Sequence, residues 1–259
     1  MRLVLKVGTS TLVENNGKIK EEKIKCLCEK IAKLKNKGHE VILVSSGAIG
    51  IGVGKLGLDK KPSDIPSKQA VAAVGQCELM YVYDRIFNEY SVTVGQMLLT
   101  GADLLAEDRH KNINNTLNRL LNYNVLPIIN ENDSIATDEI KVGDNDTLSA
   151  IVATSVNADL LIILSDVDGL YSADPRKDKT AKLIKKVYKL NQKIIALAGG
   201  EGSSLGTGGM VTKLKAAKIC VNNNCDMAIA NGEKLYLLDD IVENKENDYT
   251  RFYNNKKEK

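Results

Sequence analysis

The residues best suited to chemistry lie in a glycine-rich stretch at residues 205–217 and at the end of the first apolar segment. Gly206, Gly208 and Gly209 fall within four residues, and apolar residues at helical spacing follow them. A glycine loop that opens a helix binds anions, because its unpaired backbone N–H groups and the helix dipole face the loop. Lys213, about one turn into that helix, adds a positive charge. This pattern predicts a phosphate site, although a flexible loop with a solvated lysine is a comparably frequent use of such glycines.

A second lysine, Lys6, lies near the carboxyl end of an apolar segment at residues 2–7. Ligands of open α/β sheets bind at the carboxyl ends of strands, and an unpaired lysine is costly in a core, so a bound anion explains Lys6 best. Two cations, loop N–H groups and Mg²⁺ would suffice for phosphoryl transfer. The chain contains no P-loop sequence, and no general base is evident near the lysines. The acceptor is therefore expected to be already anionic, as a carboxylate is at neutral pH.

Two dense polar stretches follow another apolar segment, at residues 130–134 (NENDS) and 141–146 (KVGDND). Asn, Asp and Gly favour turns, and Asp146 could cap a helix at residues 147–156. The functional interpretation is a pocket for a polar, amine-bearing ligand. Both interpretations can be true together.

The elements that must position these residues alternate along the chain. Strand patterns occur at residues 2–7, 41–44, 92–98, 125–129, 159–164 and 226–230. Helical periodicity lies between them, for example at residues 24–34 before Gly38, and Ser67 is a candidate cap for another helix. This alternation favours one α/β fold, a three-layer α/β/α sandwich with a central, mostly parallel sheet. A G-x-G-x-x-G match at residues 52–57 does not join a strand to a helix, so close helix packing explains it better.

The 259 residues have the composition of a soluble globular protein, with 43% hydrophobic and 27% charged residues. A net charge of +3 gives no support for nucleic acid or a membrane as a partner. Neither a membrane-spanning run nor a signal peptide is evident, so we expect a cytoplasmic location. Five cysteines without C-x-x-C indicate reduced thiols, and two unclustered histidines favour neither a metal site nor a serine hydrolase.

Six short motifs occur in unbroken order: KVGTS at 6–10, SSGAI at 45–49, GQMLLT at 95–100, NEND at 130–133, KVGDND at 141–146, and GTGGM at 206–210 followed by Lys213. Together they resemble the glutamate 5-kinase family of the amino acid kinase superfamily, from residue 1 to about 240. The resemblance implies that ATP, with Mg²⁺, phosphorylates the side-chain carboxylate of L-glutamate to L-glutamyl 5-phosphate, the first step of proline biosynthesis. It also implies a single amino acid kinase domain over 1–259, with a glutamate side at roughly 1–150, a nucleotide side at roughly 151–243 and a tail at 244–259.

The resemblance also assigns roles to the matching residues. Lys6 and Lys213 are expected to stabilise the transferring phosphoryl group, and Asp146 to hold both lysines. Glutamate is expected to bind at Ser46, Gly47, Ala48, Asp133 and Asn145. The nucleotide is expected to bind at Lys6, Ser165, Asp166, Thr207, Gly208, Gly209, Met210, Val211, Thr212 and Lys213. Mg²⁺ is expected to be held through the phosphates of ATP rather than by side chains directly, and Asp144 to organise the metal or the glutamate loop.

Several departures and alternatives accompany this resemblance. Many family members carry a C-terminal PUA domain, which is not expected here because the chain stops before one would fit. Feedback inhibition by proline and assembly into a homo-oligomer, a dimer or tetramer, are further expectations. Acetylglutamate kinase, aspartokinase and nucleoside monophosphate kinases remain alternatives within the fold. The single-glycine start and residues 143–146 favour the glutamate enzyme. A catalytically silent sensor of amino acids or nucleotides is the alternative from another class.

Overall fold

The computed structural model describes residues 1–136, 144–197 and 209–254, which form eight strands and ten helices. The strands are β1 (Arg2–Val7), β2 (Glu40–Ser45), β3 (Val94–Leu99), β4 (Leu126–Glu131), β5 (Leu160–Ser165), β6 (Lys186–Val187), β7 (Asp226–Asn231) and β8 (Thr250–Phe252). The helices are α1 (Thr9–Leu12), α2 (Glu21–Asn36), α3 (Ala48–Lys55), α4 (Ile65–Asn88), α5 (Gly101–Leu105), α6 (Glu107–Asn122), α7 (Asn145–Ser155), α8 (Gln192–Ala196), α9 (Met210–Asn222) and α10 (Leu237–Val242). None of the helices within the described ranges is both long and apolar enough to span a bilayer.

The chain divides into two compact units. Unit 1 comprises Met1–Lys6 and Asp146–Lys259, and unit 2 comprises Val7–Asn145. In unit 2 the strands lie in the order β3-β4-β2, and both neighbouring pairs are parallel. In unit 1 the order is β1-β5-β7-β8-β6, with β5 parallel to β7 and β8 antiparallel to β7. The predicted α/β class, with a mostly parallel sheet and flanking helices, is confirmed.

Continuous apolar runs explain why the central strands are buried. Every residue of β4 and of β5 is buried, as expected for parallel strands covered by helices on both faces. All six predicted strands are present, and their ends differ from the predicted ends by at most two residues. The carboxyl ends of these strands therefore carry the polar residues that the sequence analysis selected.

Helices α3 and α4 pack with their backbones in direct contact. A Cβ atom on Gly52 would lie 2.0 Å from the carbonyl oxygen of Val71, and one on Gly75 would lie 1.7 Å from that of Ala48. Only glycine fits at such distances, since real Cβ atoms do not approach a backbone oxygen within 3.0 Å. Gly52, the first glycine of the G-x-G-x-x-G match at residues 52–57, is thus required for close helix packing, as predicted from the sequence.

The start of α4 differs from its prediction. Asp64, not Ser67, is the N-cap, and its side chain accepts a hydrogen bond from the backbone N–H of Ser67 at 2.9 Å. Pro66 occupies the first turn, where its missing N–H has no consequence. Aspartate and serine both cap helices well. Because proline is favoured in the first turn, Pro66 places the start of the helix before Ser67, and Asp64 is the residue at the cap position.

Strands β6 and β8 were not predicted from the sequence. β8 is buried, and its Arg251 donates from Nη2 to Asp226 Oδ2 at 2.8 Å and from Nη1 to the carbonyl oxygen of Ile241 at 2.9 Å. A buried Arg–Asp pair allows a charged segment to enter the sheet, and hydropathy alone gives no sign of it. All five cysteines are free thiols, two of them exposed and three buried.

Candidate active site

Unit 1 brings Lys6, Asp146 and Lys213 into one buried cluster. Lys6 lies near the carboxyl end of β1, Asp146 in the first turn of α7, and Lys213 in the first turn of α9. Lys6 Nζ lies 2.7 Å from Asp146 Oδ1, and Lys213 Nζ lies 3.2 Å from Asp146 Oδ2. The exposed fractions are 9% for Lys6, 4% for Lys213 and 2% for Asp146. One carboxylate therefore holds both ammonium groups, which is the arrangement expected from the sequence.

The electrostatic balance of this cluster is positive. Burial raises the pKa of Asp146, but the charges of Lys6 and Lys213 and the hydrogen bonds to the carboxylate outweigh it, so the pKa lies below its ordinary value. Asp146 is consequently ionised at neutral pH. Two ammonium groups then share one carboxylate, and one positive charge is left over among these three side chains. Burying an uncompensated charge is costly, so the cluster is suited to receive an anion.

Asp146 does not act as the helix cap that turn chemistry suggested. Helix α7 begins at Asn145, and the Asp146 carboxylate faces the two lysines and the hydroxyl group of Thr212. Thr212 Oγ1 lies 2.9 Å from Asp146 Oδ2 and 2.8 Å from the carbonyl oxygen of Gly209. The cap interpretation is therefore wrong, because the carboxylate pairs with buried cations instead.

Helix α9 begins directly after Gly209, without a side-chain cap. Its first N–H groups, including those of Met210 and Val211, have no intrahelical acceptors, and they lie at the positive end of the helix dipole. Lys213 follows within the same turn. Thr207 and Gly208 lie outside the described residues, as does the Lys141–Gly143 part of the KVGDND motif.

Ser165 and Asp166 lie together where β5 ends. Ser165 Oγ donates to Asp166 Oδ1 at 2.9 Å. The next acidic residue, Asp168, was not selected from the sequence. Its carboxylate contacts Tyr171 Oη at 3.0 Å, Asn231 Nδ2 at 3.2 Å and Lys234 Nζ at 2.8 Å. These contacts join the loops that follow β5 and β7, and the parallel order of those strands was the signal that could have predicted them.

The charge state of Asp168 follows from these partners. Burial raises its pKa, but the hydrogen bonds from Lys234, Asn231 and Tyr171 lower it further, so the net shift is downward. The hydrogen bond to Asp168 is the main cause that raises the pKa of Lys234. The Asp168–Lys234 ion pair thus connects the loop after β5, which includes Asp166, to the loop after β7.

Unit 2 contains a network of side-chain amides. Asn145 Nδ2 lies 2.7 Å from Ser46 Oγ, 3.0 Å from Asn130 Oδ1 and 3.2 Å from the carbonyl oxygen of Ser45. Asn130 Nδ2 in turn donates to Gln76 Oε1 at 2.8 Å. The structure therefore brings the predicted residues Ser46 and Asn145 together, and it adds Asn130 and Gln76, which the sequence analysis did not select as site residues.

Gly47 and Ala48 form the start of α3. Gly47 has φ +104°, a left-handed conformation that favours glycine, and Ala48 is the first residue of the helix. Because α3 begins here, its first backbone N–H groups have no intrahelical acceptors and can bind an anionic group of a ligand. This turn connects β2 to α3 directly, as the SSGA motif predicts.

An open cavity of about 400 Å³ lies in unit 2. Among the predicted glutamate residues, Ala48 and Asp133 line it. The other lining residues are Ala72, Ala73, Gln76, Cys77, Met80, Gln96, Leu98, Glu131, Asn132 and Ser134. Polar groups from the end of β4 and apolar groups from α4 thus surround a volume suited to a small metabolite.

Known proteins are similar to this chain over most of its length. The family model described as "Amino acid kinase family" matches residues 1–231. A glutamate 5-kinase of Clostridium tetani (strain Massachusetts / E88) is 55% identical over 243 residues, which cover 94% of this chain and 91% of that protein. A glutamate 5-kinase of Clostridium perfringens (strain 13 / Type A) is 55% identical over 246 residues, which cover 93% of this chain and 91% of that protein.

Among solved structures, a UMP kinase from Ureaplasma parvum superposes with a TM-score of 0.65 at 18% identity, covering 97% of this chain and 98% of its own. This likeness supports the fold alone. The family match and the close relatives together show that the chain belongs to the amino acid kinase family and, within it, to the glutamate 5-kinases.

Proposed function

We propose that this chain transfers the γ-phosphoryl group of ATP to the side-chain carboxylate of L-glutamate, forming L-glutamyl 5-phosphate in the first step of proline biosynthesis. Its relatives in Clostridium tetani and Clostridium perfringens are named for this activity and are similar over nearly their whole length. The proposal assigns the phosphoryl side of the reaction to residues of unit 1 and the recognition of glutamate to residues of unit 2.

The excess positive charge around Asp146 is the observation that carries this proposal. Lys6 and Lys213 are both buried, and they share a single carboxylate. A structural ion pair needs only one lysine for one aspartate. A second buried ammonium group is explained by an anion that binds during the reaction, and a transferring phosphoryl group has that charge.

The residues at the start of α9 also suit the binding of a nucleoside triphosphate. The start of α9 offers backbone N–H groups to phosphate oxygens, and Lys213 lies in the same turn. Asp146 Oδ2 accepts hydrogen bonds from both Lys213 Nζ and Thr212 Oγ1. These contacts fix the position of the Lys213 ammonium group. When bound through the phosphates, Mg²⁺ would supply further positive charge to the transferring group.

Residues of unit 2 are suited to bind the ammonium and carboxylate groups of an amino acid. Asn145 Oδ1 is buried and has no hydrogen-bond donor among the described residues, so it can accept from an ammonium group. Asp133 lines the cavity, and its negative charge also suits an ammonium group. The N–H groups at the start of α3 can bind a carboxylate. Glutamate carries both kinds of group.

The reaction does not require a general base. A glutamate side chain is ionised at neutral pH, since its ordinary pKa is about 4.3, so it can attack a phosphorus atom without losing a proton. Lys6 and Lys213 would neutralise the charge on the transferring oxygens, and Asp146 would hold the lysines in place. A hydroxyl acceptor would more often need a positioned base, whereas Asp146, the carboxylate of the lysine cluster, is already paired with two ammonium groups.

Two alternatives are less well supported. A nucleoside monophosphate kinase shares the fold, but the UMP kinase has only 18% identity, against 55% for the glutamate 5-kinases. A silent sensor is less well supported because the relatives that are 55% identical are named as kinases.

The decisive experiment measures ADP release with ATP and L-glutamate, N-acetyl-L-glutamate, L-aspartate or UMP side by side. We expect turnover with L-glutamate far above that with the other acceptors. Hydroxylamine added to the reaction should trap the acyl phosphate and distinguish a phosphorylated carboxylate from simple ATP hydrolysis. ATP binding in a calorimeter without turnover of any acceptor would support the sensor instead and contradict the proposal.

Four further properties are part of the proposal. They are use of Mg²⁺ with ATP, feedback inhibition by proline, assembly into a homo-oligomer, and a cytoplasmic location. Each stays a prediction. Omission of Mg²⁺ from the ADP-release assay and titration of proline into it check the first two.

A further inference from the structure

The amide network of unit 2 has a defined hydrogen-bond direction. The backbone N–H of Glu131 can only donate, and it donates to Asn130 Oδ1 at 2.9 Å. The other branch of the Asn130 amide is therefore Nδ2, which must donate to Gln76, so the contacting atom of Gln76 is Oε1. The same reasoning identifies the Asn145 atom that contacts Asn130 Oδ1 as Nδ2. A single backbone group thus orients three side-chain amides.

This direction leaves one acceptor and one donor at the two ends of the network. At one end, Asn145 Oδ1 is buried and accepts no hydrogen bond from the described residues. At the other end, Gln76 Oε1 is engaged with Asn130, so Nε2 is the polar atom of Gln76 that remains to bind a ligand. An acceptor suits an ammonium group, and an N–H donor suits a carboxylate.

Gln76 is placed to use that donor in the cavity. Its exposed fraction is 8%, and it lines the cavity together with Ala48 and Asp133. Asn130, which holds its Oε1, is 2% exposed. A glutamine this deeply buried, with its amide oriented by a fixed partner, is preorganised and loses little side-chain freedom when a ligand binds.

We propose that Gln76 determines substrate specificity by donating a hydrogen bond from Nε2 to the α-carboxylate of L-glutamate. Asn130 is then a positioning residue, because it acts through Gln76 and Asn145. This inference rests on the proposed function and extends it to a residue with no assigned role. The side-chain carboxylate must leave an oxygen open to the phosphoryl group, whereas the α-carboxylate does not react and can stay bound throughout. That difference assigns Gln76 to the α-carboxylate.

The test is the substitution Gln76→Glu. A glutamate side chain has nearly the same volume, and its carboxylate oxygen still accepts the hydrogen bond from Asn130 Nδ2. It lacks the N–H donor, however, and presents a negative charge to the substrate carboxylate. We expect the KM for L-glutamate to rise by about 10- to 100-fold, the range for a lost hydrogen bond to a charged group, with kcat changed much less.

A control of the same chemistry is available away from the cavity. Gln192, at an exposed position of α8, is absent from the cavity lining. Gln192→Glu should leave the KM for L-glutamate near the wild-type value. Thermal unfolding of both variants would show that each is folded.

A substrate analogue separates recognition from a structural role. 4-Aminobutanoate is L-glutamate without its α-carboxylate, and its inhibition constant against L-glutamate can be measured for wild type and for Gln76→Glu. We expect Gln76→Glu to weaken the binding of L-glutamate far more than the binding of 4-aminobutanoate. An equal loss for both compounds, or an unchanged KM for L-glutamate in Gln76→Glu, would overturn the assignment while the wild-type activity stood. A wild-type chain without turnover of L-glutamate would instead overturn the proposed function, and this inference with it.

Discussion

The carboxylate of Asp146 faces Lys6 Nζ through one oxygen and Lys213 Nζ through the other. Replacement of either lysine by a neutral residue would make the cluster electrically neutral. The remaining ion pair would still be satisfied, so folding should persist. The positive charge available to a phosphoryl group would be lost. At the scale of single residues, catalysis and stability should therefore respond differently to the same substitution.

Lys213→Ala should lower kcat by about 100-fold or more, the effect of removing one group that stabilises transition-state charge. The KM for L-glutamate should change little, because the lost charge acts mainly on the transferring group. Steady-state ADP release at varied L-glutamate provides the measurement. Lys215→Ala, at an exposed position of the same helix, is the control and should behave like wild type. Near-normal kcat in Lys213→Ala would contradict a catalytic role.

Helices α3 and α4 carry the packing that supports the cavity. Ala48 from α3 and Gln76 from α4 both line it, and the two helices touch through Gly52 and Gly75. A side chain at either glycine must push the helices apart, since a Cβ atom would overlap a backbone oxygen that cannot turn away. At the scale of elements, glycine in these helices therefore sets the separation of two walls of the cavity.

Gly52→Ala should destabilise the protein by roughly 1–3 kcal/mol, the usual cost of overpacking. Gly50 lies in the same helix, and a Cβ atom there would meet Val13 Cγ1 at 3.5 Å and Thr9 Cγ2 at 3.6 Å, both ordinary van der Waals distances. Because alanine has a helix propensity about 1 kcal/mol better than that of glycine, Gly50→Ala should be neutral or stabilising. Chemical denaturation of both variants measures the difference. Equal stability of the two would mean that α3 and α4 are not held at the separation described.

The residues predicted to bind the phosphoryl group and those predicted to bind glutamate belong to different compact units. Lys6, Asp146 and Lys213 belong to unit 1, whereas Ser46, Asp133 and Asn145 belong to unit 2. Asn145 and Asp146 are consecutive residues, so one short motif supplies a residue to each group. At the scale of the whole molecule, each substrate should first stabilise the unit that contains its predicted binding residues.

Hydrogen–deuterium exchange tests this division. A non-hydrolysable ATP analogue should slow exchange mainly in α7 and α9 of unit 1, because bound ligand stabilises the elements that contact it. L-Glutamate should slow exchange mainly in α3, α4 and β4 of unit 2. L-Lysine at the same concentration is the control and should protect neither unit. Protection by L-glutamate confined to unit 1 would contradict the assignment of the amino acid site.

The lysines, the strands and the family were accessible from the sequence because each leaves a local trace. A lysine at the end of an apolar run, a glycine loop before a helix and motifs in register depend on neighbouring residues, and local physics restricts what such patterns can form. The strand ends were predicted to within two residues for the same reason. Strand β8 left no such trace, because Arg251 enters the sheet only by pairing with the distant Asp226.

Only the tertiary structure decided which polar residues work together. Asn130 and Gln76 are 54 positions apart, and Lys6 and Asp146 are brought together from different elements. Asparagine and glutamine are common in turns and on surfaces, so their types alone do not identify a partner or a hydrogen-bond direction. The sequence by itself determined the six strands with apolar patterns and the chemistry available at their ends. The packing of those elements decided which donors and acceptors meet, because a hydrogen bond depends on distances of about 3 Å that no local pattern encodes.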